Sequence, residues 1–369
     1  MKVICNTDDI ARAVGTVSKV VNPHIAVPVL ANLLLTAEEG RVRVRATDLE
    51  ITMQNQFDAE VQESGSVTVP AKLFTSYLSN SPKGPVLIEA DDKKATVKIQ
   101  RAVCDFNTLP AAEFPPLPTE QHNESFTMPG ASLRRLLEQT IFAASTEESR
   151  GAVLCGTLVE VEGKTLRAVA TDGYRLAVSQ LTLESERSDR LRFIVPSRAL
   201  SEASRNVDSG KAVTITTLGK SRNQLSIQSD DLVITTRLVD GQYPNYEQII
   251  PKTDPATTVS ASTADVVAAL KRAELMTADR ANQVRLEIGG GKLKITATSD
   301  ITGNALEEID VEHKGDDLQI SFNARFLRDI LDHIDDAQTL MHFGGPVAPT
   351  VMMPAGTQEQ RYLIMPLRA

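Results

Sequence analysis

Three carboxylates stand where acid–base chemistry could be done: Asp48 and Glu50 in ATDLE (46–50), and Asp172 in ATDGYRLA (170–177). Two carboxylates in one cleft act as general acid and general base when their surroundings hold one protonated and the other ionised. The same residues have a plainer reading. An Asp that follows Thr at the end of an apolar run accepts hydrogen bonds from the backbone N–H groups just after it, and Gly173 permits the positive φ of a tight turn. The corner recurs as ATSDI (297–301). Recurrence suits a scaffold element, because a single active site need not be written three times.

The other chemistry-bearing residues form no constellation. His24, His122, His313, His333 and His342 lack HxxxH or HExxH spacing, and Cys5, Cys104 and Cys155 include no CxxC, so no structural metal is expected. Cys155 in GAVLCGTL has no obvious base and reads as a small core residue. Gly219-Lys220-Ser221 ends like a phosphate-binding loop, but position 214, where the first glycine belongs, is Thr214. GGGK (289–292) continues with Leu293 and reads as a hairpin loop. No catalysis, nucleotide hydrolysis or cofactor is expected.

The elements that carry these residues repeat. Thr47, Thr171 and Thr298 head the three corners at separations of 124 and 127. VPAKLF, VPSRAL and FNARFL begin at Val69, Val195 and Phe322, separations of 126 and 127, and Phe114-Pro115 precedes Tyr243-Pro244 by 129. Anchors that keep one period imply a triplicated module. RVRVRATDLEITM, KAVTITTLG, NQLSIQS, LVITTRLV and KLKITATS alternate as half-buried strands do. Two helical stretches punctuate each copy: TDDIARAVGTVSKVV and AKLFTSYLSN, ASLRRLLEQTIFAAS and SRALSEASRNV, TADVVAALKRAELM and ARFLRDILDHID. Thr7, Ser132 and Ser197 are placed as N-caps, and Pro70 and Pro196 mark strand-to-helix turns. The reading is α+β: three tandem similar domains, each antiparallel β with two helices, spanning 1–124, 125–255 and 256–369. FPPLPTEQHNES (114–125) and IIPKTDPATT (249–258) serve as linkers.

A net charge of −9 argues against an all-round basic coat but leaves room for a basic stripe. The helical segments are nearly charge-balanced, with cations at Arg12, Lys19, Lys72, Arg134, Arg135, Arg198, Arg205, Lys271, Arg272, Arg325 and Arg328. These are either ordinary solvated helix faces or a surface that meets a polyanion loosely and without regard to sequence. With no Trp, the cores must be largely Val, Leu, Ile and Ala. An odd set of dispersed cysteines, a start without an apolar leader and no long apolar run indicate a soluble, cytoplasmic chain without membrane contact. The closing RYLIMPLRA (361–369) divides between a last core strand and an apolar patch of the kind that marks a peptide groove.

PVLANLLL (28–35), ATDLE, TLPAAEFP, VATDGYRLAV, LVDGQYPNY and YLIMPLR occur in an order that resembles the bacterial sliding clamps, the beta subunits of DNA polymerase III, over essentially the whole chain. The resemblance implies the DNA-clamp fold and a head-to-tail homodimer, each chain forming half of a closed ring around double-stranded DNA. The helices would line the hole, with His24, Lys72, Arg134, Arg135, Arg198, Arg205, Lys271 and Arg272 facing DNA. Such a ring tethers the replicative polymerase, and short linear peptides of polymerase subunits, the clamp-loader ATPase and repair proteins would enter one pocket. Its positions here are Leu154, Thr171, Gly173, Tyr174, Arg175, Leu176, Pro244 and Ile249, with Phe326, Val347, Leu363, Ile364, Met365, Pro366, Leu367 and Arg368. Three departures stand out. His24 takes a place where relatives often carry Arg, Tyr174 one where His is common, and ESRGAVLCG is a residue longer than the family spacing, which displaces Arg150. A specialised clamp paralogue, or a protein-binding scaffold without a replication role, is the alternative.

Overall fold

The computed structural model describes residues 1–22, 27–116, 122–219, 223–277 and 282–367. Among them are six α-helices, two in each third of the chain: α1 Thr7–Val17, α2 Ala71–Ser79, α3 Gly130–Glu138, α4 Ser197–Asn206, α5 Thr263–Glu274 and α6 Ala324–Asp332. In α1 the buried Ile10, Ala13, Val14 and Val17 follow the spacing of one helix face, as do Val266, Ala269, Leu270 and Ala273 in α5. The cores are mainly aliphatic.

The repeated anchors fold alike. The strands Gly65–Pro70, Arg175–Pro196 and Leu318–Asn323 each run straight into a helix, α2, α4 and α6. The three corners are tight turns between antiparallel strands. Asp48 Oδ1 accepts from the N–H groups of Glu50 and Ile51 at 3.1 and 2.8 Å. Asp172 Oδ1 does the same for Tyr174 and Arg175 at 2.9 and 3.0 Å, and Ser299 Oγ for Ile301 and Thr302 at 3.1 and 2.9 Å. The Thr47 and Thr171 hydroxyls each accept from the residue two positions on. Leu49 and Gly173 take that place with φ of 78° and 89°. In the GGGK hairpin, Gly290 and Gly291 have φ of 57° and 74°.

The described structure divides into two compact units, Met1–Arg134 with Arg198–Leu238, and Arg135–Ser197 with Val239–Ala369. The stretch 125–255 contributes to both, and the sheets explain why. The first unit holds a five-stranded sheet and an eight-stranded one, in which Leu232–Arg237 pairs with Ile51–Asp58. The second holds a four-stranded sheet and a seven-stranded one, in which Arg175–Ser179 pairs with Gln360–Ile364. In each unit one sheet thus runs from one third of the chain into the next.

Capping and linkers differ from the sequence reading. Thr7 and Ser197 are the first helical residues rather than N-caps, because the strand turns into the helix without a loop. Their hydroxyls bond Gly84 O and Thr157 Oγ1, both at 2.8 Å. Ser132 lies inside the first turn of α3. The side-chain caps that do form are Ser262 on α5 and Asn323 on α6. His122–Pro129 and Thr257–Ser262 are strands, so both linkers end earlier than 125 and 258.

Asp48→Ala leaves two turn N–H groups without their acceptor and should cost about 1–3 kcal/mol in urea-unfolding measurements. Asp48→Ser should recover most of that loss, since a serine closes the third corner.

Candidate functional site

The second corner carries more than its own turn. Thr171 Oγ1 donates to Arg175 O at 2.6 Å and accepts from Gly173 N, fixing the residues in between. Tyr174 is thereby turned outward and is 48% exposed. Arg175 is turned inward, its side chain only 10% exposed. Its Nε donates to Asp172 Oδ2 at 3.1 Å, Nη1 to Asp329 Oδ2 at 2.7 Å and Nη2 to Phe142 O at 2.9 Å. The guanidinium also lies 4.6 Å from the Phe326 ring centre and 5.4 Å from that of Phe142. A charge this far from water is tolerable only when paired and fully hydrogen-bonded. Asp329 and Phe326 come from α6, so the network fixes that helix against the corner.

The closing strand completes the arrangement. Arg175 lies opposite Ile364 and Leu176 opposite Leu363, and Met365 N donates to Tyr174 O at 2.9 Å. Val351 pairs with Leu363 on its other side. Leu176 and Leu363 belong to one apolar cluster with Leu158, Val169, Val178, Ile194, Val351, Tyr243 and Tyr246. Tyr174 stacks on Phe326 with ring centres 6.0 Å apart. Burial pushes the Tyr243 phenol up and the Tyr246 phenol to about 12, Tyr246 also donating to Glu160 Oε2 at 2.7 Å, so both stay neutral.

The expected pocket residues are thus spread over the corner, the segment from Tyr243 to Ile250, α6 and the last strand. Leu176, Leu363, Ile364 and Thr171 are buried. Met365 is 40% exposed, Pro366 and Leu367 are half-buried, and Leu367 N donates to Ser321 O. Pro244 and Ile249 are exposed in the segment that follows Tyr243, with Pro244 O accepting from Tyr246 N. Leu154 is half-buried, just before the strand Gly156–Thr171. Val347 is exposed in the loop between Gln338–Phe343 and Thr350–Pro354. Arg368 lies outside the described residues.

Arg150, which the spacing argument set aside, reaches the corner. Its Nη1 donates to Asp172 O at 3.1 Å and Nη2 to the Tyr174 hydroxyl at 3.3 Å, with the guanidinium 4.6 Å from the Tyr174 ring centre. An extra residue in a loop shifts spacing without moving the side chain out of reach. Cys155 is half-buried rather than in the core, its thiol pushed up by desolvation.

The described cations expected to face DNA are exposed, and most are already paired. Arg198 meets Asp48 at 2.6 Å, Arg205 meets Glu202 at 3.2 Å, and Arg135 meets Glu359 at 3.4 Å. Arg272 holds Glu307 with two nitrogens, and Lys271 stands 3.9 Å from Asp332. Lys72 and Arg134 are exposed on α2 and α3, and His24 lies outside the described residues. Among the described residues no cluster of His, Cys, Asp and Glu could hold a metal.

Comparison with known proteins accounts for the whole chain. The N-terminal, central and C-terminal domain models of the DNA polymerase III beta subunit match residues 1–118, 127–245 and 247–368. The beta sliding clamps of Proteus mirabilis and Escherichia coli strain K12 are 31% and 30% identical over 370 residues, covering all of both chains. A sliding clamp from Pseudomonas aeruginosa, solved bound to griselimycin, is 30% identical with a TM-score of 0.93 and full coverage of both chains. The Bacillus subtilis clamp, 26% identical, has a TM-score of 0.94 and covers 100% of this chain and 99% of its own. Domain order, full-length likeness and fold agree: the chain belongs to the family of bacterial beta sliding clamps, the DNA polymerase III beta subunits, and is a three-domain processivity clamp of DNA replication.

Proposed function

We propose that two copies join head to tail into a closed ring around duplex DNA, and that the groove at the second corner receives short linear peptides. Polymerase subunits, the clamp-loader ATPase and repair proteins are the peptide donors. The domains run 1–124, 125–255 and 256–369, and the chain works in the cytoplasm. No described helix is long and apolar enough to cross a membrane.

The observation that carries the peptide reading is the pairing of the corner with the closing strand, Leu176 opposite Leu363, beside exposed Tyr174 and Met365. An apolar floor with a few polar groups and a methionine wall suits a groove that accepts varied sequences. The Asp48 and Asp172 carboxylates are engaged by their own turns and by Arg198 and Arg175, which supports a role without catalysis.

Two sheet edges support the ring. Ala102–Asn107 ends the five-stranded sheet and Gly303–Asp310 ends the four-stranded one. They expose Val103 and Leu306, with Leu73 and Leu275 on nearby helix ends. An open edge with apolar side chains is a template for another strand, and a head-to-tail contact that closes after two copies leaves neither edge free. The paired helix cations favour loose contact with phosphate, since each must give up a partner before it can bind firmly. A ring that holds DNA by enclosure needs no tight grip, and it keeps the polymerase at high effective concentration on its template.

Three measurements test this. After loading, the protein should remain on circular DNA and slip from linear ends, and equal retention on both would refute enclosure. Leu306→Arg should weaken self-association by about tenfold or more in sedimentation experiments, a charge at an apolar interface costing at least 1.4 kcal/mol. Met365→Asp should cut peptide affinity by about tenfold in anisotropy titrations while leaving self-association intact.

A further inference from the structure

We propose that the second compact unit carries a separate ligand site, a trough that takes an acidic peptide segment with apolar neighbours. The trough has a volume of about 720 Å³ and shares no residue with the pocket positions above. Its floor continues the same sheet face. Along paired strands side chains alternate, so Val178 lies on the face of Leu176, and Arg361, opposite Val178, on the face of Leu363. Tyr246, Ile250 and Lys252 form its other wall. A second hollow of about 280 Å³ adjoins it through Ile250, Pro251, Gln358 and Arg361, room for the next side chain of a bound segment.

The charges select the occupant. The acids of the trough are both paired, Glu247 with Arg167 at 3.9 Å and Glu359 with Arg135 at 3.4 Å. The side chains of Lys252 and Arg361 are exposed and have no ion pair or hydrogen bond among the described residues. The wall that holds Arg167 is fixed from behind by Glu160, which is 3.8 Å from Arg167 and accepts from the Tyr246 hydroxyl. Two free cations over an apolar floor fit a carboxylate flanked by aliphatic side chains. They fit duplex DNA poorly, because its backbone brings closely spaced phosphates to only two free cations and offers no aliphatic side chain to the floor.

The test uses the full chain and a fluorescein-labelled hexapeptide of alternating Glu and Leu, followed by anisotropy. The counterpart with Lys for Glu and a 20-base-pair duplex serve as competing probes. Lys252→Glu combined with Arg361→Glu, both at exposed positions, should weaken the acidic peptide about tenfold or more. Met365→Asp should leave it within about twofold, since only a ligand of the corner pocket reads that residue. The proposal is overturned if the acidic peptide fails to bind, if the double variant binds it normally, or if Met365→Asp loses it equally. Equal binding of the Lys peptide, or a greater effect of the double variant on duplex than on peptide, overturns it as well.

Discussion

Removing a guanidinium from water is costly, and Arg175 shows what the molecule gains by doing so. Its three nitrogens bond a turn carboxylate, a helix carboxylate and a backbone carbonyl, and two aromatic rings flank its plane. Without all of these partners the charge would be stranded in a poor solvent, a penalty of about 3–5 kcal/mol for a broken buried pair. The network is therefore an orientation device. The corner, α6 and the turn at Phe142 must be in position together, and Tyr174 and Phe326 stack as a result.

The three corners show how one local design acquires different duties. The turn itself needs only a side-chain oxygen that accepts two N–H groups, and Asp48, Asp172 and Ser299 each supply one. The second oxygen of a carboxylate is what varies in use. At Asp48 it meets Arg198 of α4, and at Asp172 it meets Arg175. Serine has no second oxygen, and the third corner remains a plain turn. The difference between the corners arises from one spare carboxylate oxygen on a repeated scaffold.

This is why so much of the architecture was legible from local pattern. Thr47, Thr171 and Thr298, with the strand-to-helix turns at Pro70, Pro196 and Asn323, reveal triplication because each is a short-range arrangement. The contacts of Arg175 with Asp329, and of Tyr174 with Phe326, join residues about 150 positions apart, and no periodicity encodes them. They could be anticipated only through family likeness. Arg150 was missed because spacing was taken to fix position, whereas a loop absorbs an added residue. Caps were misassigned for a related reason: Thr7 and Ser197 have the right side chains, but neighbouring strands offer their hydroxyls better partners. The compact units also escape local reading, since Ile234 opposite Met53 and Ala177 opposite Tyr362 join sheets across domain boundaries.

The unfilled strands Ala102–Asn107 and Gly303–Asp310 have a colloidal consequence. Each of these rims is an open edge, a template on which a neighbouring strand can pair in a wrong register. What holds strangers apart is the net charge of −9, a repulsion that acts before any rim can touch. In the proposed ring a mate seats both rims at once, a gain that a stranger in a wrong register lacks. Concentrated salt shortens that repulsion to a few ångströms and so weakens the barrier to wrong-register contact.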